Sequence, residues 1–114
     1  MLNFNNKPTI VMITKYVDFR CGIDSLIYKV KEYNLDPFSN SLFVFINKNK
    51  RKIKLLYFSG TGFYLVLYRL EEGKFRWLKN NDYNTISYKQ MEWLLDGLDI
   101  IQKHYNKPIN NLVI

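Results

Sequence analysis

Five cations crowd into the seven residues Lys48–Lys54: Lys48, Lys50, Arg51, Lys52 and Lys54, with no acid among them. The chemistry open to such a run is non-covalent. It sets up a local positive field that attracts polyanions and neutralises phosphates without reading a base sequence. Residues 40–79 hold nine Lys/Arg against only Glu71 and Glu72, while residues 1–39 hold five against four and residues 80–114 three against four. The net charge of +7 therefore lies in the middle third of the chain. Arg69, Lys74 and Arg76 stand behind the run as further phosphate contacts. A solvated loop that only keeps the protein in solution is the plainer reading of the same residues, and both stay open. Tyr57, Tyr64, Tyr68, Phe75 and Trp77 have faces on which unpaired bases could stack. Most of them are expected in the core, with Tyr68 beside Arg69 at the surface.

Bond-making chemistry finds few parts. His104 and Cys21 are the only residues of their types, too few for a zinc site or a Cys–His nucleophile pair. A two-metal centre needs carboxylates gathered from several elements, and the ten acids fall at expected caps, turns and helix faces. Ser59-Gly60-Thr61-Gly62 lacks the spacing, the Lys and the following helix of a phosphate loop, so it reads as a hairpin turn. No catalytic residue, metal or cofactor is expected.

The elements that would position the cations follow from apolar spacing. Thr9–Thr14 is a short β-branched run, expected as a strand. Phe19, Ile23, Leu26, Ile27, Val30 and Tyr33 recur at helical spacing, so a helix is expected over 19–33, capped by Asp18 and ended by Asn34 and Asp36-Pro37. Arg20 and Asp24, four apart, would pair on it. Strands are expected at 41–46, 52–58 and 63–70, with a short fourth at Lys74–Trp77. Their turns are the basic stretch, Ser59–Gly62 and Glu71-Glu72-Gly73. Short connections predict an antiparallel meander. Phe63–Leu70 is apolar on both faces, so both must be covered or one offered to a partner. Asn80–Thr85 reads as a loop. Ser87 and Gln90 fit a capping box for a C-terminal helix closed or kinked at Gly97 and continued over Asp99–Tyr105. The expected fold class is α+β, an antiparallel sheet of three to five strands on an N-terminal helix with a C-terminal helix. Residues 1–105 form one domain and 106–114 a loose tail.

Apolar content of 47%, with 17% aromatic, supplies a real core and argues against global disorder. A lone cysteine excludes an internal disulfide and suits a reducing cytoplasm. The N-terminus lacks the order of a signal peptide, and no apolar run is long enough to span a bilayer. The expectation is a cytoplasmic protein without a membrane partner.

Several segments in fixed order also resemble a known family. They are Asp18-Phe19-Arg20-Cys21-Gly22-Ile23-Asp24-Ser25-Leu26, then Asp36-Pro37-Phe38-Ser39-Asn40-Ser41-Leu42-Phe43-Val44-Phe45, then Lys54-Leu55-Leu56-Tyr57 through Gly60-Thr61-Gly62-Phe63. Arg69–Trp77 and Trp93-Leu94-Leu95-Asp96-Gly97-Leu98 complete the set. Together they resemble the small accessory protein encoded by the second open reading frame of insertion sequence 66 elements, often called TnpB. Ser59 stands where that pattern usually has Asp, after Phe58 where Trp is usual. Tyr68 replaces a basic residue, and Leu78 replaces Pro after Trp77. The resemblance implies a bacterial, non-catalytic role in transposition and DNA recombination beside a separate transposase. The expected DNA contacts are then Lys48, Lys50, Arg51, Lys52, Lys54, Arg69, Lys74 and Arg76. Tyr64, Tyr68 and Trp93 are expected to meet the transposase or a second copy of the chain. The alternative is a protein–protein adaptor whose positive charge complements an acidic transposase surface, with no nucleic-acid contact.

Overall fold

Two runs with apolar side chains on both faces, β1 (Thr9–Ile13) and β2 (Ser41–Ile46), lie side by side at the centre of the molecule. The computed structural model describes residues 7–101. Between these strands the chain forms α1 (Ile23–Glu32), and after them β3 (Lys52–Phe58), β4 (Phe63–Arg69), β5 (Tyr83–Ile86) and α2 (Tyr88–Leu95). The sheet has five strands in the order β4-β3-β2-β1-β5.

The class is α+β, but the sheet is mixed rather than an antiparallel meander. β1 and β2 run parallel, from Thr9 opposite Ser41 to Met12 opposite Val44. The other pairings, β1–β5, β2–β3 and β3–β4, are antiparallel. Parallel neighbours need a crossover of a dozen or more residues, and the stretch carrying α1 between β1 and β2 provides it. The spacing between the first two strands was thus the sign of a crossover.

Two-sided strands need two covers. α1 buries Leu26 and Val30 against Val11, Ile13, Phe43, Phe45 and Leu56. α2 buries Met91 and Leu94 against Ile10, Met12, Leu42, Val44, Ile46 and Ile53 on the other face. Phe75 and Trp77 join this second cluster. They do so from a segment that crosses the end of the sheet without forming the expected strand at Lys74–Trp77. Its alternation reflects side chains plugging a core, while its hydrogen bonds go to separate elements. Phe75 N–H donates to the Lys50 carbonyl (2.8 Å), and the Trp77 indole N–H to that of Ile13 (3.0 Å). The polar stretch expected as a loop instead contributes β5, whose ladder runs from Tyr83 opposite Ile13 to Ile86 opposite Ile10. Only Ile86 is buried in it, as suits a short edge strand.

α1 starts at Ile23, four residues later than its apolar spacing suggests, and Asp18 does not cap it. The N-cap is Gly22, with no side-chain bond. The Lys54 ammonium explains the delay. It donates to the carbonyls of Phe19 (2.8 Å) and Cys21 (3.0 Å), drawing the Phe19 carbonyl away from any helical bond. Asp18 instead accepts from the backbone N–H and guanidinium of Arg20, so Arg20 pairs there and not with Asp24. Both helices end in left-handed residues, Asn34 (φ +61°) and Gly97 (φ +77°). Each closes a Schellman motif, with Leu35 N–H to the Val30 carbonyl and Leu98 N–H to that of Trp93. The capping box of α2 is present as expected: Ser87 Oγ accepts from Gln90 N–H, and Gln90 Oε1 from Ser87 N–H. Among the described residues no helix is long and apolar enough to cross a membrane. The expected continuation of the last helix over Asp99–Tyr105 does not form at 99–101, which lie beyond the Gly97 cap without helical structure; its remainder, with His104 and the tail at 106–114, lies outside the described residues.

Phe45, fully buried under α1, should cost about 3–5 kcal/mol as Phe45→Ala in chemical denaturation. Tyr28→Ser, on the outer face of the same helix at 64% exposure, should cost less than about 0.5 kcal/mol. The hydrogen bonds from Arg20 hold the Asp18 carboxyl at about 2, below its ordinary 3.8. Stabilisation from that pair is therefore complete above the ordinary value and is lost as pH falls through about 2. Carboxyl-carbon NMR should find that midpoint, and Arg20→Gln should return it toward 3.8.

Candidate nucleic-acid interface

The basic stretch becomes the turn between β2 and β3, at the sheet end where β1, β2 and β4 finish. Asn47 organises it. The Asn47 carbonyl accepts from Lys50 N–H (3.1 Å), and its side-chain oxygen from Lys52 N–H (3.4 Å). Asn49 Oδ1 accepts from Arg51 N–H (3.1 Å). Lys50 sits at φ +62°, a left-handed conformation that costs an L-residue on the order of 1–2 kcal/mol. That conformation accompanies the Lys50 carbonyl's bond to Phe75 N–H, so the turn is tied to the buried crossing segment. The cations thus ride on a braced loop.

The expected contacts divide into two groups. Lys48, Arg51 and Lys74 are exposed and Lys50 and Lys52 half-buried, and among the described residues none of the five pairs with a carboxylate. The Arg51 guanidinium donates to the backbone carbonyl of Glu71 (3.2 Å), which fixes its direction and leaves its charge. The Lys50 ammonium lies 5.9 Å from the ring centroid of Tyr16. The other three cations have partners. Arg69 pairs with Glu71 (2.8 Å) and Arg76 with Asp99 (3.5 Å). Lys54 bridges the two carbonyls before α1, 4.9 Å from the Phe19 ring centroid. Lys52 and Arg69 stand directly opposite across β3 and β4, a like-charge pair that Glu71 relieves.

Beside the turn, residues 16–20 and 47–49 enclose an open cleft of about 950 Å³. Lys48 stands on one wall, with Tyr16 and the Asp18–Arg20 pair on the other. Tyr16 went unnoticed in the sequence. Its one signal is its place in the connection just after β1, where loops carry exposed side chains. Among the described residues no three of His, Cys, Asp and Glu gather as metal ligands.

Of the expected partner residues, Tyr64 and Tyr68 lie on the face of β4 that α2 covers, and Trp93 lies half-buried on α2 itself. Tyr68 donates its hydroxyl to the Leu95 carbonyl (3.1 Å), which joins β4 to α2. Of the departures from the family pattern, Ser59 closes the β3–β4 turn with its N–H to the Gly62 carbonyl (2.8 Å). Gly60 takes the positive φ (+107°) in that turn. Leu78 packs on the α2-side core.

Comparison with known proteins agrees with this architecture's ordered segments. The family described as IS66 Orf2 like protein, TnpB_IS66, matches residues 8–105. The uncharacterized protein y4hO of Sinorhizobium fredii (strain NBRC 101917 / NGR234) is 33% identical over 101 residues, covering 87% of this chain and 88% of its own. A second uncharacterized protein of the same strain, y4jC, is 34% identical over 92 residues, 79% of each chain. No solved structure matches the chain significantly. With its full run of matching segments from β1 to α2, the chain belongs to the IS66 Orf2-like family, which points to an accessory role in transposition.

Proposed function

We propose that this chain assists transposition by holding element DNA through its phosphates, leaving bond breaking and joining to a separate transposase. The observation that carries the reading is the lack of a carboxylate partner, among the described residues, for Lys48, Lys50, Arg51, Lys52 and Lys74. Arg69 and Arg76 nearby each have one. A polyanion gains most from charges that nothing inside the fold already neutralises. The braced turn adds to this, because cations on an ordered loop lose less freedom on binding. Arg69, Arg76 and Lys54 serve as a second rank, already engaged in the free protein. Phosphate contact carries no base information, so target choice would come from the transposase or from DNA shape.

The test is fluorescence anisotropy with a generic duplex across a salt series. Four phosphate contacts predict a loss of affinity on the order of 100-fold between 50 and 200 mM salt. The triple variant Lys50→Glu/Arg51→Glu/Lys52→Glu should lower the logarithmic salt slope by about 3. Absence of binding to any DNA at low salt would overturn the proposal and leave the adaptor, with its cations matched to an acidic protein surface. Lys54→Met should leave the salt slope nearly unchanged and cost roughly 1.5–3 kcal/mol of stability, because the Phe19 and Cys21 carbonyls lose a charged donor.

A further inference from the structure

The two edges of the sheet are built differently. β5 is short and polar, Tyr83-Asn84-Thr85-Ile86, as protected edges are. β4 is seven residues long, Phe63-Tyr64-Leu65-Val66-Leu67-Tyr68-Arg69, with no Pro and a single charge at its end. Among the described residues no strand pairs with its outer side. Leu67 is 55% exposed and Tyr64 44%. Long, flat, apolar edges are templates for another strand.

The backbone shows which groups are on offer. The β3–β4 ladder is bracketed by the Ser59 N–H bond to the Gly62 carbonyl and the Leu70 N–H bond to the Arg51 carbonyl. Stepping in twos between Gly62 and Leu70, the N–H and C=O groups of Tyr64, Val66 and Tyr68 face β3. Those of Phe63, Leu65, Leu67 and Arg69 face outward.

The side chains fit one occupant. Residues 64–68 read Tyr-Leu-Val-Leu-Tyr, the same in both directions. A two-fold axis through an antiparallel pair of such strands sets like against like, as an isologous interface requires. We propose that β4 is a dimer interface, pairing antiparallel with β4 of a second copy in the register centred on Val66. In that register Leu65 meets Leu67, Tyr64 meets Tyr68, Val66 meets Val66 and Phe63 meets Arg69 of the other copy. Every hydrogen-bonded pair then falls on outward-facing residues, giving about eight interchain hydrogen bonds. Shifting the centre by one residue, to Leu65 or Leu67, keeps the direction of the bonds but moves a strand end into a turn and breaks the tyrosine match. Phe63 against Arg69 adds a cation–π contact at each end. The pairing joins two five-stranded sheets into one and leaves only β5 edges exposed, so it closes instead of polymerising. The two basic turns emerge at opposite ends of the paired strands, separated by roughly 20 Å or more, which limits their repulsion.

The test uses the full chain without DNA, so its result is independent of the DNA proposal. Light scattering over a concentration series should give a dimer. In a Cys21→Ser background, Val66→Cys should form an interchain disulfide under mild oxidation, its Cα atoms lying about 4.5 Å apart in a non-hydrogen-bonded pair. Tyr64→Cys, Leu65→Cys and Leu67→Cys should not cross-link with themselves. Leu67→Pro, which removes an outward N–H and spares the β3 ladder, should raise the dimer dissociation constant roughly tenfold or more. A monomer at every concentration would overturn the proposal, as would cross-linking through any of the other three positions in place of Val66, or a dimer insensitive to Leu67→Pro.

Discussion

The structure depends on covering β1 and β2 on both faces at once. Their side chains are apolar on either side, so the pair is stable in water only between two layers. The chain meets this need by making the pair parallel. A parallel pair requires a crossover, the crossover is α1, and α1 becomes the first layer. The second layer, α2 with Phe75 and Trp77, can be reached only after the chain has crossed from β4 to the far edge at β5. That crossing runs over the end of the sheet where the β2–β3 turn protrudes, and it ties the turn down through the Phe75–Lys50 bond. The demands of the core and the placement of the cations are therefore one piece of topology.

Charge is sorted by the same arrangement. Three cations outside the turn have partners: Lys54 on β3 reaches two carbonyls, Arg69 at the end of β4 reaches Glu71, and Arg76 reaches Asp99. Cations in the turn, together with Lys74, form no ion pair with a carboxylate among the described residues. The net charge of +7 thus understates how unevenly the field is distributed, since Lys48, Lys50, Arg51 and Lys52, without a carboxylate partner among the described residues, gather at one turn. Exposed pairs such as Arg69–Glu71 contribute little stability, typically under about 1 kcal/mol, but they remove those arginines from the surplus.

Where apolar spacing decided the outcome, the sequence was readable. β2, β3 and β4 fall within a residue of the expected runs, and the capping box of α2 and the turn glycines Gly60, Gly73 and Gly97 take their expected roles. The errors share a cause: they lie where a long-range partner overrules a local pattern. Phe19 continues the helical spacing of α1, yet Lys54, thirty-five residues away, takes its carbonyl. Phe75 and Trp77 alternate as a strand does, yet their backbone has no strand beside it. Asn84 and Thr85 look like a loop, yet β1 had an open edge to fill. For the site, the cluster at Lys48–Lys54 was plain in the sequence, while its division into paired and unpaired charges was not. Glu71 stands only two residues from Arg69, but Asp99 reaches Arg76 only once the crossing segment has been placed.

Residue-resolved amide hydrogen exchange, with and without a generic DNA duplex, tests the central claim most directly. The account predicts that Val11, Met12, Phe43 and Phe45 exchange slowest in both states, because they lie between both layers. Added protection on DNA should be confined to residues 47–52 and the neighbouring 16–20 and 74–75. Protection appearing on α2 instead, or exchange at β1 and β2 as fast as at the short edge strand β5, would contradict it.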